Sequence, residues 1–470
     1  MSAISTTTPV PDAAAVEAFA QRLRGRLVRS DDAGYDDARK VYNAMIDRRP
    51  ALIAYCADAA DVSYGVSFAR EHGMLLAVRG GGHSGPGLGV CDGGLVLDLS
   101  AMNGVHVDAE ARVARVEGGC TLGDVDHATH VHGLATPLGI ISTAGVGGLV
   151  TGGGIGYLAR RHGLSIDNLL EADVVLADAS LVTAGPDRNQ DLFWAIRGGG
   201  GNFGVVTSFT FRLHPVGTVC GGPMLWTLDR AADVLRWYRD FLPSAPEDLN
   251  GFFAFVDVPP MAPFPEPLHG QTVCGVVWTY LGPIERAAEV FGPIRERFGP
   301  PAVDLVGPLP FPALQSIFDA LFPPGLQWYW KGDFFEEIPD EAIARHVTHG
   351  SRNPTNFSTM HLYPIDGAAA RVDRSATAWS YRGAKWAGVI AGVSPDASDA
   401  GRITTWAREY WEALHPYSAG GAYVNFMMEE GSERVRATYR EHYHRLSSIK
   451  AKYDPTNLFR VNQNIMPRTR

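Results

Sequence analysis

The chain has 470 residues, 46 % of them hydrophobic and 20 % charged, with a formal net charge of −10. This is the composition of a globular protein large enough for two or three domains, and the excess of acid argues against nucleic acid or an anionic membrane as partner, because phosphate selects basic patches. The five cysteines (Cys56, Cys91, Cys120, Cys220, Cys274) are scattered and form no C-x-x-C pair, which argues against a disulfide framework and a zinc knuckle.

In chain order, residues 1–9 lack a basic segment followed by an apolar one, so the expected location is cytoplasmic. Val16, Phe19, Ala20, Leu23 and Leu27 predict an amphipathic helix over 12–29, and a second helix is expected over 60–73. The apolar run 74–78 reads as a buried strand, as do 95–99 and 112–117. Residues 173–177 and 181–183 flank Asp178, Ala179 and Ser180, a hairpin signal, and 205–213 alternates like a half-buried strand. No charge occurs from 133 to 159, but eight glycines between 138 and 159 make a membrane helix a poor reading; a buried loop wrapped around a ligand fits better. After residue 216 prolines and tryptophans become frequent, which marks a second domain over 217–422. A strand is expected at 421–426, with Tyr423 and Asn425 on one face. A single helix is expected over 432–450 and a last strand over 459–465, returning to the first domain (1–216 with 423–470).

Four motifs carry chemistry. V-R-G-G-G-H-S-G at 78–85 follows a strand; its glycines let successive amides face one concavity, a nest for a diphosphate, with His83 beside whatever the diphosphate carries. Alone such a loop is more often only a turn, and it is no Walker A loop because no Gly-Lys-Ser/Thr follows. Residues 142–158, S-T-A-G-V-G-G-L-V-T-G-G-G-I-G-Y-L, are a long stretch where backbone must come close to something. Part of it matches G-x-G-x-x-A, but no strand precedes it as a Rossmann motif requires. R-R-H-G-L-S-I-D-N-L at 160–169 and D-L-F-W-A-I-R-G-G-G-G-N-F-G-V-V-T at 191–207 follow. The clusters His127, His130, His132 and His442, His444 have no ligand spacing and read as solvated helix faces, so no metal is implied.

Together with Y-D-P-T-N-L-F-R-V-N-Q-N-I at 453–465, these motifs resemble the berberine bridge enzyme-like oxidases of the vanillyl-alcohol oxidase superfamily. The resemblance covers about 45–216 and 420–466. It implies an α+β fold: a PCMH-type FAD-binding domain of two α/β subdomains, plus a substrate domain whose antiparallel sheet covers the flavin. It implies FAD bound by Arg79, Gly80, Gly81, Gly82, His83 and Ser84, with a covalent link to His83. It implies backbone contacts from Thr143, Ala144, Gly145, Gly147, Gly148, Gly152, Gly153, Gly154 and Gly156. Asn168, Val206, Asn462 and Asn464 complete the implied set. Ile141 stands where relatives with two links carry cysteine, so a single bond is expected. Leu149 replaces a histidine of many members. The small Ala144, at the implied oxygen gate, favours an oxidase. Tyr423 is the implied base, with Asn425 beside it and Tyr381 on another implied strand, 377–386; Arg382 or Lys385 is the cation expected to lower the phenol's pKa. Ala387 and Val389 are apolar where relatives carry Lys, Gln or Glu. Trp328, Trp330, Trp379 and Trp386 are candidates for an aromatic pocket. The implied partners are O2 and a small-molecule alcohol or amine, a secondary metabolite or glycoside. A dehydrogenase with another acceptor, and a non-catalytic flavin-binding protein, would share the motifs.

Overall fold

The structure, a computed structural model, describes residues 11–469; the stretch 1–9 read for a targeting signal lies outside the described residues. Among the described residues three larger sheets build the molecule, beside a two-stranded pair of Leu134–Ala135 with His214–Pro215. The first has the strand order Arg26–Arg29, Leu52–Tyr55, Leu95–Asp98, Leu76–Arg79, and its last three strands are parallel. Buried on both faces, Leu95–Asp98 has no exposed residue, which is why it reads as a continuous apolar run rather than an alternation. The second sheet is antiparallel: Val105–Asp108, Val113–Glu117, Val205–Arg212, Leu169–Val175, Leu181–Ala184. The helix Ala59–Glu71, capped by Asp58, contacts both sheets and buries Val62, Val66 and Ala69 completely.

The third sheet is antiparallel and has eight strands. Seven run in the order Val303–Asp304, Thr218–Thr227, Thr272–Tyr280, Leu249–Asp257, Thr359–Pro364, Trp386–Ser394, Gln327–Phe335, and Gly307–Pro310 pairs beside Thr218–Thr227. The helices Ala231–Phe241, Asp340–Gly350 and Ala400–Leu414 cover its outer face over Trp278 and Trp386, both fully buried. Its inner face turns toward the two glycine-rich segments. Among the described residues no helix is long and apolar enough to cross a membrane.

Several expectations need correction. The first helix ends at Arg22, and Leu27 lies in the strand Arg26–Arg29; Gly25 intervenes where a Cβ would strike the Tyr55 carbonyl. Residues 146–152, expected within a loop, form the short helix Val146–Gly152. The helix over 432–450 is two helices, Ser432–Tyr439 and His442–Tyr453, broken at Arg440 with φ 48°. Tyr423 and Asn425 sit on no strand: Val424–Phe426 is one turn of 3-10 helix. Residues 377–385 are irregular and the strand begins at Trp386. The expected strand 459–465 is extended chain that pairs with no sheet.

Candidate active site

A large cavity, about 390 Å³, lies between the glycine-rich segments and the inner face of the eight-stranded sheet. Its floor begins where Leu76–Arg79 ends. Arg79 is buried and fully engaged: its Nε pairs with Asp98 at 2.5 Å, and its other nitrogens donate to the carbonyls of Ala38 and Lys40. The guanidinium therefore anchors the loop, while its stem borders the cavity. Gly80, Gly81, Gly82, His83 and Ser84 follow along the wall.

Gly81 must be glycine because another chain segment lies against it. A Cβ there would stand 2.3 Å from the Gly145 nitrogen, and one on Gly145 would stand 2.2 Å from the Gly81 nitrogen. The first two motifs thus touch backbone to backbone. His83 stacks on Tyr42, centroids 3.9 Å apart. Tyr42 ties the loop to a distant segment: its amide donates to the Gly82 carbonyl and its hydroxyl to the Phe322 carbonyl. Burial pushes the His83 pKa down to about 4, so the ring is neutral at pH 7.

Opposite, Tyr423 and Asn425 line the cavity together, as expected, though the turn rather than a strand brings them there. The Tyr423 hydroxyl accepts from the Gly154 amide at 2.9 Å and from Asn425 Nδ2 at 2.8 Å. Burial pushes its pKa up to about 12 despite these donors. The expected cation is absent from its surroundings: Arg382 makes a two-pronged pair with Asp167, and Lys385 is exposed.

The C-terminal segment closes the wall through a buried ion pair. Lys450 Nζ lies 2.6 Å from Asp454 and donates also to the carbonyls of Asn202 and Phe459. Asp454 in turn accepts from the amides of Leu458 and Phe459. This knot sets Phe459, Asn462 and Gln463 against the cavity.

Of the sequence-predicted residues, Ala144, Gly145, Gly147, Gly148 and Val206 also line the cavity, as does Ile141. Others do not. Gly152, Gly153, Gly154 and Gly156 are glycines for protein contacts: added Cβ atoms would meet Asn425, Trp379, Ser165 and the Leu138 carbonyl within 2.5 Å. Thr143 does not line the cavity. Asn168 is buried away from it, donating to the carbonyls of His162 and Leu164 and bonded to His214. Asn464 is outside too, because without a strand the i, i+2 alternation fails and Gln463 faces inward instead. Tyr381 is no cavity residue: it stacks on Phe334 and donates to the Ala437 carbonyl at 2.9 Å. Trp328 and Trp330 line the site, but Trp379 packs on Gly153 and Tyr423, and Trp386 lies in the outer core.

Sequence reasoning missed Tyr42, Asn43, His361 and Tyr363. Asn43 bridges the loop to the sheet, donating to the carbonyls of Gly85 and Trp328 and accepting from the Trp328 amide; it lies in irregular chain that carries no periodic signal. His361 and Tyr363 did carry one, two polar rings at i, i+2 on a short strand.

The comparisons agree with this geometry. The family model described as "FAD binding domain" matches residues 50–185, and that described as "Berberine and berberine like" matches 422–466. An FAD-linked oxidoreductase of Dictyostelium discoideum is 31 % identical over 96 % of this chain and 97 % of its own. The (R)-6-hydroxynicotine oxidase of Paenarthrobacter nicotinovorans is 30 % identical over 95 % and 97 %. Among solved structures, 6-hydroxy-D-nicotine oxidase from Arthrobacter nicotinovorans superposes with a TM-score of 0.84 at 27 % identity, covering 95 % of this chain and 98 % of that one. The berberine bridge enzyme-like protein 1 of Physcomitrella patens shares the fold, with a TM-score of 0.86 at 23 % identity over 97 % and 99 %. The fold and site are those of a PCMH-type flavoprotein. The chain belongs to the berberine bridge enzyme-like FAD-linked oxidoreductases, and it is an FAD-binding enzyme.

Proposed function

We propose that this enzyme is an oxidase that carries FAD on a single bond to His83, removes a hydride from the carbon bearing a hydroxyl or amino group of a small molecule, and passes the electrons to O2 to give H2O2. The observation that carries the reading is a half-buried, neutral His83 at the end of the Gly80, Gly81, Gly82 loop, on the wall of the large cavity. A neutral imidazole keeps the lone pair that bond formation to the flavin's 8α carbon needs.

The residues fit the group. The loop amides suit the diphosphate. Gly148 and Gly201 border the cavity with nothing within 4 Å of an added Cβ, which leaves width for an extended dinucleotide. Asn462 keeps a buried Oδ1 without a partner, an acceptor for a ring N–H. Ile141 has no thiol for a second bond, and the small Ala144 on the wall leaves room for O2. Bound FAD supplies the two-electron chemistry; the protein orients substrate and handles the proton. Tyr423, with Asn425 donating to its oxygen, is the proposed proton acceptor. Residues 1–216 with 423–470 would form the FAD-binding domain and 217–422 the substrate domain. The similarity to an oxidase named for 6-hydroxynicotine supports a small organic substrate with an oxidisable C–N or C–O bond.

The test is acid precipitation of the purified protein. Flavin should stay with the wild-type pellet and wash from His83→Ala, and photoreduced enzyme should reoxidise rapidly in air. Flavin washing free of wild type overturns the covalent bond. Slow reoxidation favours a dehydrogenase, and flavin that no alcohol or amine reduces favours a non-catalytic binder.

A further inference from the structure

We propose that His361 selects the substrate, donating from Nε2–H to a neutral oxygen of an uncharged aromatic molecule held beneath the eight-stranded sheet. The inference rests on the reading of the cavity as the chamber of a flavin and its substrate.

The strand Thr359–Pro364 turns Thr359, His361 and Tyr363 to one face, and all three border the cavity. The Thr359 hydroxyl is already used, donating to the Phe255 carbonyl at 2.8 Å. Directly across the ladder from His361 stands Val389, and across from Thr359 stands Ala391, neither with a polar side-chain atom. The free polar atoms of this face therefore belong to His361 and Tyr363, which bond to each other: His361 Nδ1 lies 2.6 Å from the Tyr363 hydroxyl.

The tautomer follows from that pair. Among the described residues the Tyr363 O–H has one acceptor in reach, Nδ1, so it donates there and leaves the ring proton on Nε2. Nε2 makes no hydrogen bond within the protein, yet it is not among the sealed polar atoms without partners. It opens on the cavity as an unsatisfied donor. Burial pushes the His361 pKa down to about 3, so the donor is neutral at any working pH.

Charge on the wall narrows the ligand class. Among the described lining residues there is no aspartate, glutamate or lysine, and the one arginine, Arg79, is paired with Asp98. A carboxylate or ammonium brought here would lose its water and meet no opposite charge. Around His361 the surface is aromatic: the Tyr363 ring lies 5.6 Å from Phe426, and Trp330 borders the same space. A donor left unpaired in such a space is costly, and any ligand oxygen within reach recovers that cost.

The experiment titrates flavin-loaded enzyme with acetophenone, with its hydrocarbon isostere α-methylstyrene, and with benzoate and benzylammonium, read by perturbation of the flavin spectrum and quenching of tryptophan fluorescence. Wild type should bind acetophenone about tenfold or more tighter than α-methylstyrene, and both tighter than either ion. His361→Leu should erase the acetophenone preference while α-methylstyrene binding persists. Tyr363→Phe, which keeps the imidazole but frees its tautomer, should shrink the preference without abolishing it. Equal affinities for the two neutral probes in wild type, an undiminished preference in His361→Leu, or tightest binding of an ion would overturn the proposal. Flavin content is measured on the same samples: protein that binds no flavin removes the chamber reading and this inference with it, whereas loaded protein without the oxygen preference removes this inference alone.

Discussion

Tyr423 shows how much a side chain's neighbours decide its chemistry. A phenol poised as phenolate near neutrality needs a cation or strong donors beside it. Tyr423 has two N–H donors, from Gly154 and Asn425, but no cation, and burial wins: its pKa goes up to about 12. At neutral pH the phenol therefore rests protonated, and only the small deprotonated fraction can serve as the proposed proton acceptor. The expected outcome is a rate of anaerobic flavin reduction that climbs with pH through 7–10 without a plateau, since the deprotonated fraction rises about tenfold per unit below the pKa. Tyr423→Phe should keep full flavin and slow reduction by about 10²–10⁴-fold. Stopped-flow absorbance reads both. A plateau near neutrality would mean that a cation from the substrate or flavin lowers this pKa, and an unchanged rate in Tyr423→Phe would remove the tyrosine from the proton path.

At the scale of elements, the helix Leu122–His130 carries an unusual burden. Its start is well made: Thr121 and Asp124 form a reciprocal capping box. One turn on, Asp126 is 2 % exposed and neither carboxylate oxygen has a partner. Burial pushes its pKa up to about 8. Unfolded, the carboxyl ionises near 4; between those values the folded state holds a proton that the unfolded chain has released. Stability contributed by the neutral form is thus complete below about pH 4 and is lost as pH rises toward 8, at up to roughly 1.4 kcal/mol per unit. Asp126→Asn, which cannot ionise, should match wild type in urea denaturation near pH 4–5 and exceed it by a widening margin up to pH 8; parallel curves would refute the buried neutral acid. Elements were legible in the sequence where local pattern and tertiary burial agree. The buried strand Leu95–Asp98 and the hairpin of Leu169–Val175 with Leu181–Ala184 were of this kind. Legibility failed where chain is ordered without a ladder. Asn462, Gln463 and Asn464 alternate like a strand, but their backbone is held by Asn202 and the Lys450–Asp454 knot, contacts between residues more than 200 positions apart in the case of Asn202. Within the site the glycine-rich floor was visible because close backbone approach selects for glycine, as at Gly81 and Gly145. The roof as a whole was not, because Val389 and Ala391 come beside His361 and Thr359 only through strand pairing.

At the scale of the whole molecule, the cavity lies between the glycine-rich segments and the large sheet, and Arg382 is one buried tie across that junction. From the irregular stretch before the strand Trp386–Ser394 it reaches Asp167 with two bonds, 2.8 and 2.6 Å, and donates also to Ala369 and Thr377. Both partners are buried, with side chains 4 % and 7 % exposed. Asp167 also accepts from the Leu164 amide, fixing the turn that sets Ser165 against Gly154, whose own amide holds Tyr423. The pair thus runs from the sheet domain to the proposed base through one chain of contacts. A buried pair gains little over well-packed apolar groups, yet breaking it strands a charge. Arg382→Met should therefore cost about 3–5 kcal/mol in denaturant titration, whereas Arg382→Met with Asp167→Leu should recover part of that loss. A coupling energy above about 1 kcal/mol between the two positions is the expected result of the cycle. Simple additivity would mean that the segments are held by their apolar packing alone, and that the arginine merely fills space at the junction.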